Sequence, residues 1–147
     1  LLDCSDRYTA YMASLAPGDV DLARRAIAAQ PQSAAGYFWL APAVAAGDPE
    51  AAIGYYRRGL EIAPHDGRHW LVLADLLAQR DEAAALDAYL QACLNGDPGA
   101  NGCLRAGSLA EARGDLTAAV EYYRLSNWEG ALARARELEL QLVTVRP

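Results

Sequence analysis

Two histidines, three cysteines, five serines and a few paired acids are the residues of this chain with the most chemical potential. His65-Asp66-x2-His69 sets two imidazoles four residues apart, a spacing at which one helix face can share a cation. Yet His65 and Asp66 directly follow Pro64, where a helix should stop, and no cysteine or third acid accompanies them. The segment therefore reads as a solvated connection in which Asp66 caps the next helix, not as a metal site. Ser5, Ser14, Ser33, Ser108 and Ser126 lack a G-x-S-x-G context, and neither histidine has a relay partner, which argues against a serine nucleophile. Gly96-Asp-Pro-Gly99 reads as a turn, and its acid would repel a phosphate. Asp81-Glu82 reads as the acidic start of a helix, complementing the dipole and doing no acid-base work. No catalytic, cofactor-binding or metal-binding residue is expected. Three cysteines without a C-x-x-C give neither a disulfide framework nor a zinc site. Cys93 and Cys103 are expected to be small buried hydrophobes near a junction, since a disulfide would require an oxidising compartment that nothing else indicates.

The elements that would position such residues are clearest from Gly47 to Pro64. Asp48 is suited to an N-cap, Pro49 to the first helical position, and Pro64 to stopping the helix. Between them Ala52, Ile53, Tyr56, Gly59, Leu60 and Ala63 recur at helical spacing, with Ala52 and Gly59 small enough for a second helix to approach closely. The design repeats. Prolines stand at 31, 64 and 98, and Gly-Asp turns at 18-19, 47-48 and 114-115, with Arg80-Asp81 in the remaining place. Ahead of the turns come Gly36, Trp39, Leu40 and Ala43, then Trp70, Leu73, Ala74 and Leu77, then Cys103, Ala106, Gly107 and Ala110. After them come Ala52-x3-Tyr56, Ala85-x3-Tyr89 and Ala119-x3-Tyr123.

These motifs resemble the tetratricopeptide repeat family, whose helix-turn-helix unit carries W-x2-L-G-x2-Y, A-x3-F and a closing proline. The resemblance implies an all-α fold, an α-α superhelix or solenoid of about four repeats over 1–32, 33–66, 67–99 and 100–126, with a capping helix in 127–147. Expected helices run over 6–16, 19–30, 33–46, 49–62, 67–79, 82–94, 100–113 and 116–125. Pro42 should kink its helix or cost it a hydrogen bond. Ser126-Asn-Trp-Glu129 reads as a capping box opening a ninth helix over about 127–142 with an apolar stripe of Trp128, Leu132, Ala135, Leu138 and Leu142. Pro147 reads as the tail.

A chain of 147 residues, 53% hydrophobic and rich in alanine, is expected to form one domain without strands. All thirteen basic residues are arginine, which points to a GC-rich and so bacterial genome. A net charge of −6 argues against nucleic acid as the main partner. No apolar stretch is long enough to span a bilayer, and no basic-then-apolar leader opens the chain. The Leu-Leu-Asp-Cys start suggests an excised domain or processed product, and Asp3 before Cys4 departs from a lipoprotein signal.

What the resemblance implies about function is a non-catalytic protein-protein interaction module, a scaffold or adaptor whose first helices line a concave groove for a peptide or partner helix. By spacing, the groove residues are Ala34, Tyr37, Ala41 and Val44, then Arg68, Leu71, Asp75 and Gln79, then Asn101, Leu104, Ser108 and Glu111. Arg68, Arg105 and Asn101 are expected only near its edges. The set lacks the cationic clamp by which chaperone-binding members of the family hold a terminal carboxylate. Its Tyr37-Ala41-Val44 part suits an apolar anchor, and its later part, with Asp75 and Glu111, should be acidic and prefer a basic or polar segment. The alternatives are a regulatory or docking appendage of a larger bacterial enzyme or membrane-associated machine, such as envelope glycan assembly, and a self-assembly module acting through the solenoid ends.

Overall fold

The structure is a computed structural model and describes residues 17–144. The expected helix over 6–16, Cys4 and Pro147 lie outside the described residues. Among the described residues there are eight α-helices, one short 3-10 turn and no strand. The chain divides into two compact units, Leu1–His65 and Asp66–Pro147.

The first unit holds α1 (Pro17–Ala29), α2 (Ala34–Ala45) and α3 (Pro49–Ile62). α2 packs on both of the others. α3 is built as its sequence implies: the Asp48 carboxylate accepts from the Ala51 amide at 2.9 Å, Pro49 opens the helix, and Ala52, Ile53, Tyr56, Gly59 and Leu60 form its buried stripe. Against that stripe lies Phe38 of α2, its ring 6.4 Å from that of Tyr56 and tilted by 32°. Pro42 is buried inside α2, which runs on to Ala45 although proline has no N–H to donate within the helix. Gly18-Asp19 does not form a turn; it lies inside α1, which opens at Pro17, a residue preorganised for the first helical position.

The second unit holds α4 (Gly67–Leu77), α5 (Glu82–Leu94), a 3-10 turn (Pro98–Ala100), α6 (Asn101–Ala112), α7 (Leu116–Leu125) and α8 (Glu129–Thr144). Each helix packs on the next. Aspartates open three of the five: Asp66 accepts from the His69 amide at 3.2 Å, Asp81 from Ala84 at 3.0 Å and Asp115 from Ala118 at 3.0 Å. α6 departs from the rule, because the residue before it is Ala100, left-handed at φ 53° and without a side-chain oxygen. Asp97, five residues upstream of Gly102, caps it from a distance, accepting from the Gly102 amide at 3.0 Å.

Two expectations are corrected in this unit. The capping box at 126–129 does not form: Ser126 Oγ donates to the Tyr123 carbonyl at 2.8 Å and accepts from the Trp128 amide at 3.3 Å, while Asn127 turns left-handed at φ 51°. That turn delays α8 to Glu129 and rotates its buried stripe to Ala131, Ala135 and Leu138, which pack with Ala110, Ala119, Val120 and Tyr123. Trp128 is left 58% exposed. Cys93 and Cys103 are not free thiols but a disulfide, with Cα atoms 4.9 Å apart. The end of α5 and the start of α6 meet here because the connection between them is short.

Candidate functional site

The polar groups of the second unit collect where α5 and α7 present tyrosine hydroxyls to α4 and α6. Each tyrosine of the A-x3-Tyr pattern buries its ring among the helices and needs a partner for its hydroxyl. Tyr89 is 4% exposed, and its hydroxyl donates to Asp75 Oδ1 of α4 at 2.7 Å. Arg105 of α6 approaches the same oxygen at 3.4 Å, its side chain 53% exposed. Burial, followed by the hydrogen bond and charge of Asp75, pushes the Tyr89 hydroxyl up to about 12. One repeat later, Ser108 stands where Asp75 stood, and Tyr123 Oη lies 3.2 Å from its Oγ. Tyr123 also donates to Glu111 Oε2 at 3.0 Å.

Arg134 of α8 closes this second group. It bonds Glu111 through Nη2 and also through Nε at 3.3 Å, and it holds Glu137 at 2.7 Å. The Arg134 bond holds the Glu111 carboxyl below the usual range, although burial opposes it. Two rungs result, Asp75-Tyr89-Arg105 and Ser108-Tyr123-Glu111-Arg134. In the first unit the position matching Asp75 is Ala41, which has no polar group.

Beside the first rung is a shallow hollow of about 360 Å³, lined by Ala78, Tyr89, Arg105, Ser108, Leu109 and Ala112. Its floor is small and apolar, with one guanidinium, from Arg105, and two hydroxyls, from Tyr89 and Ser108, among its lining residues. A hollow of this kind suits an inserted side chain and has nothing that would activate a nucleophile.

The residues expected from spacing are distributed unevenly over this geometry. In the first unit Ala34, Tyr37 and Val44 are half-buried, and the Tyr37 hydroxyl donates to the Pro31 carbonyl at 3.2 Å. Ala41 is fully buried and offers no surface. In the second unit Arg68, Asp75 and Gln79 are exposed, and Ser108 and Glu111 belong to the rung just described. Leu71 is 5% exposed and belongs to the core, because the apolar stripe of α4 is broad and includes Gly67, Leu71, Leu73, Ala74 and Leu77. Leu104 is half-buried against the core shared by α6, α7 and α8, and Asn101 donates to the Pro98 carbonyl at 2.7 Å. The face is not acidic as expected: Asp75 is paired with Arg105 and Glu111 with Arg134, partners that lie on other helices and are invisible to a count along one.

Arg105 is expected from the sequence only near the edge and Tyr89 only as a packing residue of the repeat, while Arg134, Leu109, Ala112 and Ala78 are not expected at the site. The tyrosines of the repeat were the available clue, since a buried tyrosine in a repeated position marks a repeated polar partner. At the His-Asp-His segment, Asp66 Oδ2 lies 2.7 Å from His69 Nδ1 while Oδ1 caps α4. Burial lowers the His69 pKa more than Asp66 raises it. Among the described residues no group of three or more His, Cys, Asp or Glu side chains is placed to hold a metal.

Residues 43–76 match the family model of the tetratricopeptide repeat. Two solved structures of MamA share the fold of almost the whole chain. One superposes with a TM-score of 0.62 at 19% identity, covering 94% of this chain and 81% of that one. The other gives 0.64 at 18% identity, covering 90% and 72%. Residues 43–76 carry a tetratricopeptide repeat. The fold class of the chain is the all-α, solenoid-type architecture of those neighbours. No curated protein matches the chain at a significant level. No helix among its described residues is long and apolar enough to cross a membrane.

Proposed function

We propose that the chain is a non-catalytic interaction module, and that its second unit receives a peptide segment or partner helix across α4 and α6. The observation that carries this reading is the hollow at Tyr89, Arg105, Ser108 and Leu109, which joins an apolar floor to an exposed guanidinium. A small or medium apolar side chain fits the hollow, and Arg105, which contacts Asp75 at 3.4 Å and also interacts with Tyr89, has five donors on a half-exposed side chain to share with a polar or acidic neighbour. With both acids already paired, a basic segment would first have to displace an arginine. The same surface would serve a docking appendage of a larger bacterial enzyme or membrane-associated machine, and the identity of the partner distinguishes that case from a free-standing adaptor.

The test compares affinity capture from a lysate of the source organism by the parent chain, by Ala112→Phe, which fills the hollow, and by Ala83→Phe on the outer side of α5. Both alanines are exposed, so both variants should keep the helical circular dichroism of the parent. One protein retained by the parent and Ala83→Phe but lost by Ala112→Phe supports the site. Equal retention by all three would sink it.

A second reading is self-assembly, favoured by the exposure of Leu125 (53%), Trp128 (58%), Leu140 (68%) and Val143 (70%) at the end of the second unit. Sedimentation velocity over a hundredfold range of concentration tests it. A Trp128→Arg, Leu140→Arg variant should remain monomeric if the parent associates through this end, and a parent monomeric throughout would exclude the reading.

A further inference from the structure

We propose that the Cys93–Cys103 disulfide is a thiol-disulfide exchange site, reduced by a small thiol or by a dithiol protein, and that it locks the turn between α5 and α6. The two sulfurs occupy unlike places. Cys93 is the penultimate residue of α5 and half-buried; Cys103 is the third residue of α6 and only 2% exposed. An attacking thiolate therefore reaches Cys93. Cys103 is the leaving group, and it departs into the first turn of a helix, where amide dipoles favour an anion.

The incoming thiolate forms a bond to Cys93 Sγ as the Cys93–Cys103 bond breaks, and Cys103 leaves with the electron pair and takes a proton from water. A second thiol of the reductant then attacks its own sulfur in the mixed disulfide and releases Cys93, which is protonated in turn. Two electrons pass from the dithiol to the protein, and the reductant ends as a disulfide.

The bond closes a turn whose own conformation is unfavourable. Gly96 and Gly99 are left-handed at φ 71° and 78°, as glycine permits, but Ala100 is left-handed at φ 53° with a Cβ to accommodate. Asp97 is 5% exposed; its Oδ2 caps Gly102, while its Oδ1 is buried without a hydrogen-bond partner among the described residues. The turn is also pressed against α4, where a Cβ on Gly67 would stand 2.7 Å from both the Asn95 carbonyl oxygen and the Asp97 nitrogen. These features hold together while the two ends are tied. Once the tie is cut, Ala100 can relax to an ordinary conformation and Asp97 can turn to water. The turn feeds directly into α6, the helix that carries Arg105, Ser108 and Glu111.

The experiment uses the full chain with Cys4→Ser to prevent scrambling. Reduced glutathione is added in limiting amount, the reaction is quenched by acid, and the adduct is mapped by mass spectrometry. Hydrogen exchange is then compared between the oxidised protein and the protein reduced with dithiothreitol. The expected adduct is on Cys93. The amides of Asp97, Ala100 and Gly102, all hydrogen-bonded in the closed turn, should exchange at least tenfold faster after reduction, while those of α7 should change little. A Cys93→Ser, Cys103→Ser variant should reproduce the reduced pattern, and if it does not fold the chemically reduced parent still supplies the comparison. An adduct on Cys103, both cysteines alkylating as free thiols in the purified protein denatured without reductant, or equal protection in the two forms would each overturn the proposal.

Discussion

Gly54 and Gly59 lie in the same helix, and adding the same methyl group to each should have opposite effects. A Cβ at Gly54 meets nothing within 4 Å, so Gly54→Ala only replaces a poor helix former by the best one. That exchange should stabilise the protein by about 0.5–1 kcal/mol. At Gly59 the new methyl would stand 2.7 Å from Phe38 Cδ1 and closer still to Cε1, against an ordinary contact of at least 3.4 Å. Phe38 is 7% exposed and packs near Tyr56, so the ring has little room to retreat. Overpacking of this kind costs about 1–3 kcal/mol, and against a propensity gain of about 1 kcal/mol it cancels the benefit of alanine and leaves Gly59→Ala destabilised by up to about 2 kcal/mol. Urea unfolding followed by circular dichroism reads both variants. Phe38→Leu shortens the obstructing side chain, so in a double-mutant cycle it should recover part of the loss from Gly59→Ala. A Gly59→Ala protein as stable as Gly54→Ala would refute the close packing of α2 on α3.

Acidification should destabilise the fold through His69. Burial lowers its pKa below the ordinary 6.5, so the unfolded chain binds a proton first and stability falls as pH drops below about 6.5. Urea midpoints from pH 8 to 5 should show this decline, with a shallower slope in His69→Gln. At the alkaline end the unfolded Tyr89 loses its proton near 10 while the folded one holds it to about 12, so stability should fall between those values. Tyr89→Phe should flatten that part of the profile. Replacing both Cys93 and Cys103 by serine should cost about 3 kcal/mol, the chain entropy of a closed loop of about ten residues, read as a lower urea midpoint.

The helices and their order were legible in the residues because their determinants are local. Asp48, Asp66, Asp81 and Asp115 cap the helices that follow them, and the buried stripe of α3 consists of Ala52, Ile53, Tyr56, Gly59 and Leu60, all set by spacing along one strand of sequence. Where the local rule was broken, the reading failed for an identifiable reason. Ser126-x-x-Glu129 has the letters of a capping box, yet left-handed Asn127 moves the helix start and turns Trp128 outward. Gly18-Asp19 has the letters of a turn, yet Pro17 begins a helix before it.

The candidate site depended on the third dimension to a greater extent. Spacing could say that Asp75, Ser108 and Glu111 lie on first helices, and it could not say that Arg105 and Arg134 would reach across to pair Asp75 and Glu111, or that Ala41 and Leu71 would be withdrawn from solvent. Nor could it decide whether Cys93 and Cys103 meet as thiols or as a disulfide, since their approach depends on how two helix ends are brought together. Helix formation is encoded within a few residues of each amide; charge neutralisation, burial and sulfur pairing are encoded in contacts between residues ten to thirty apart, which only the packed chain brings within bonding distance.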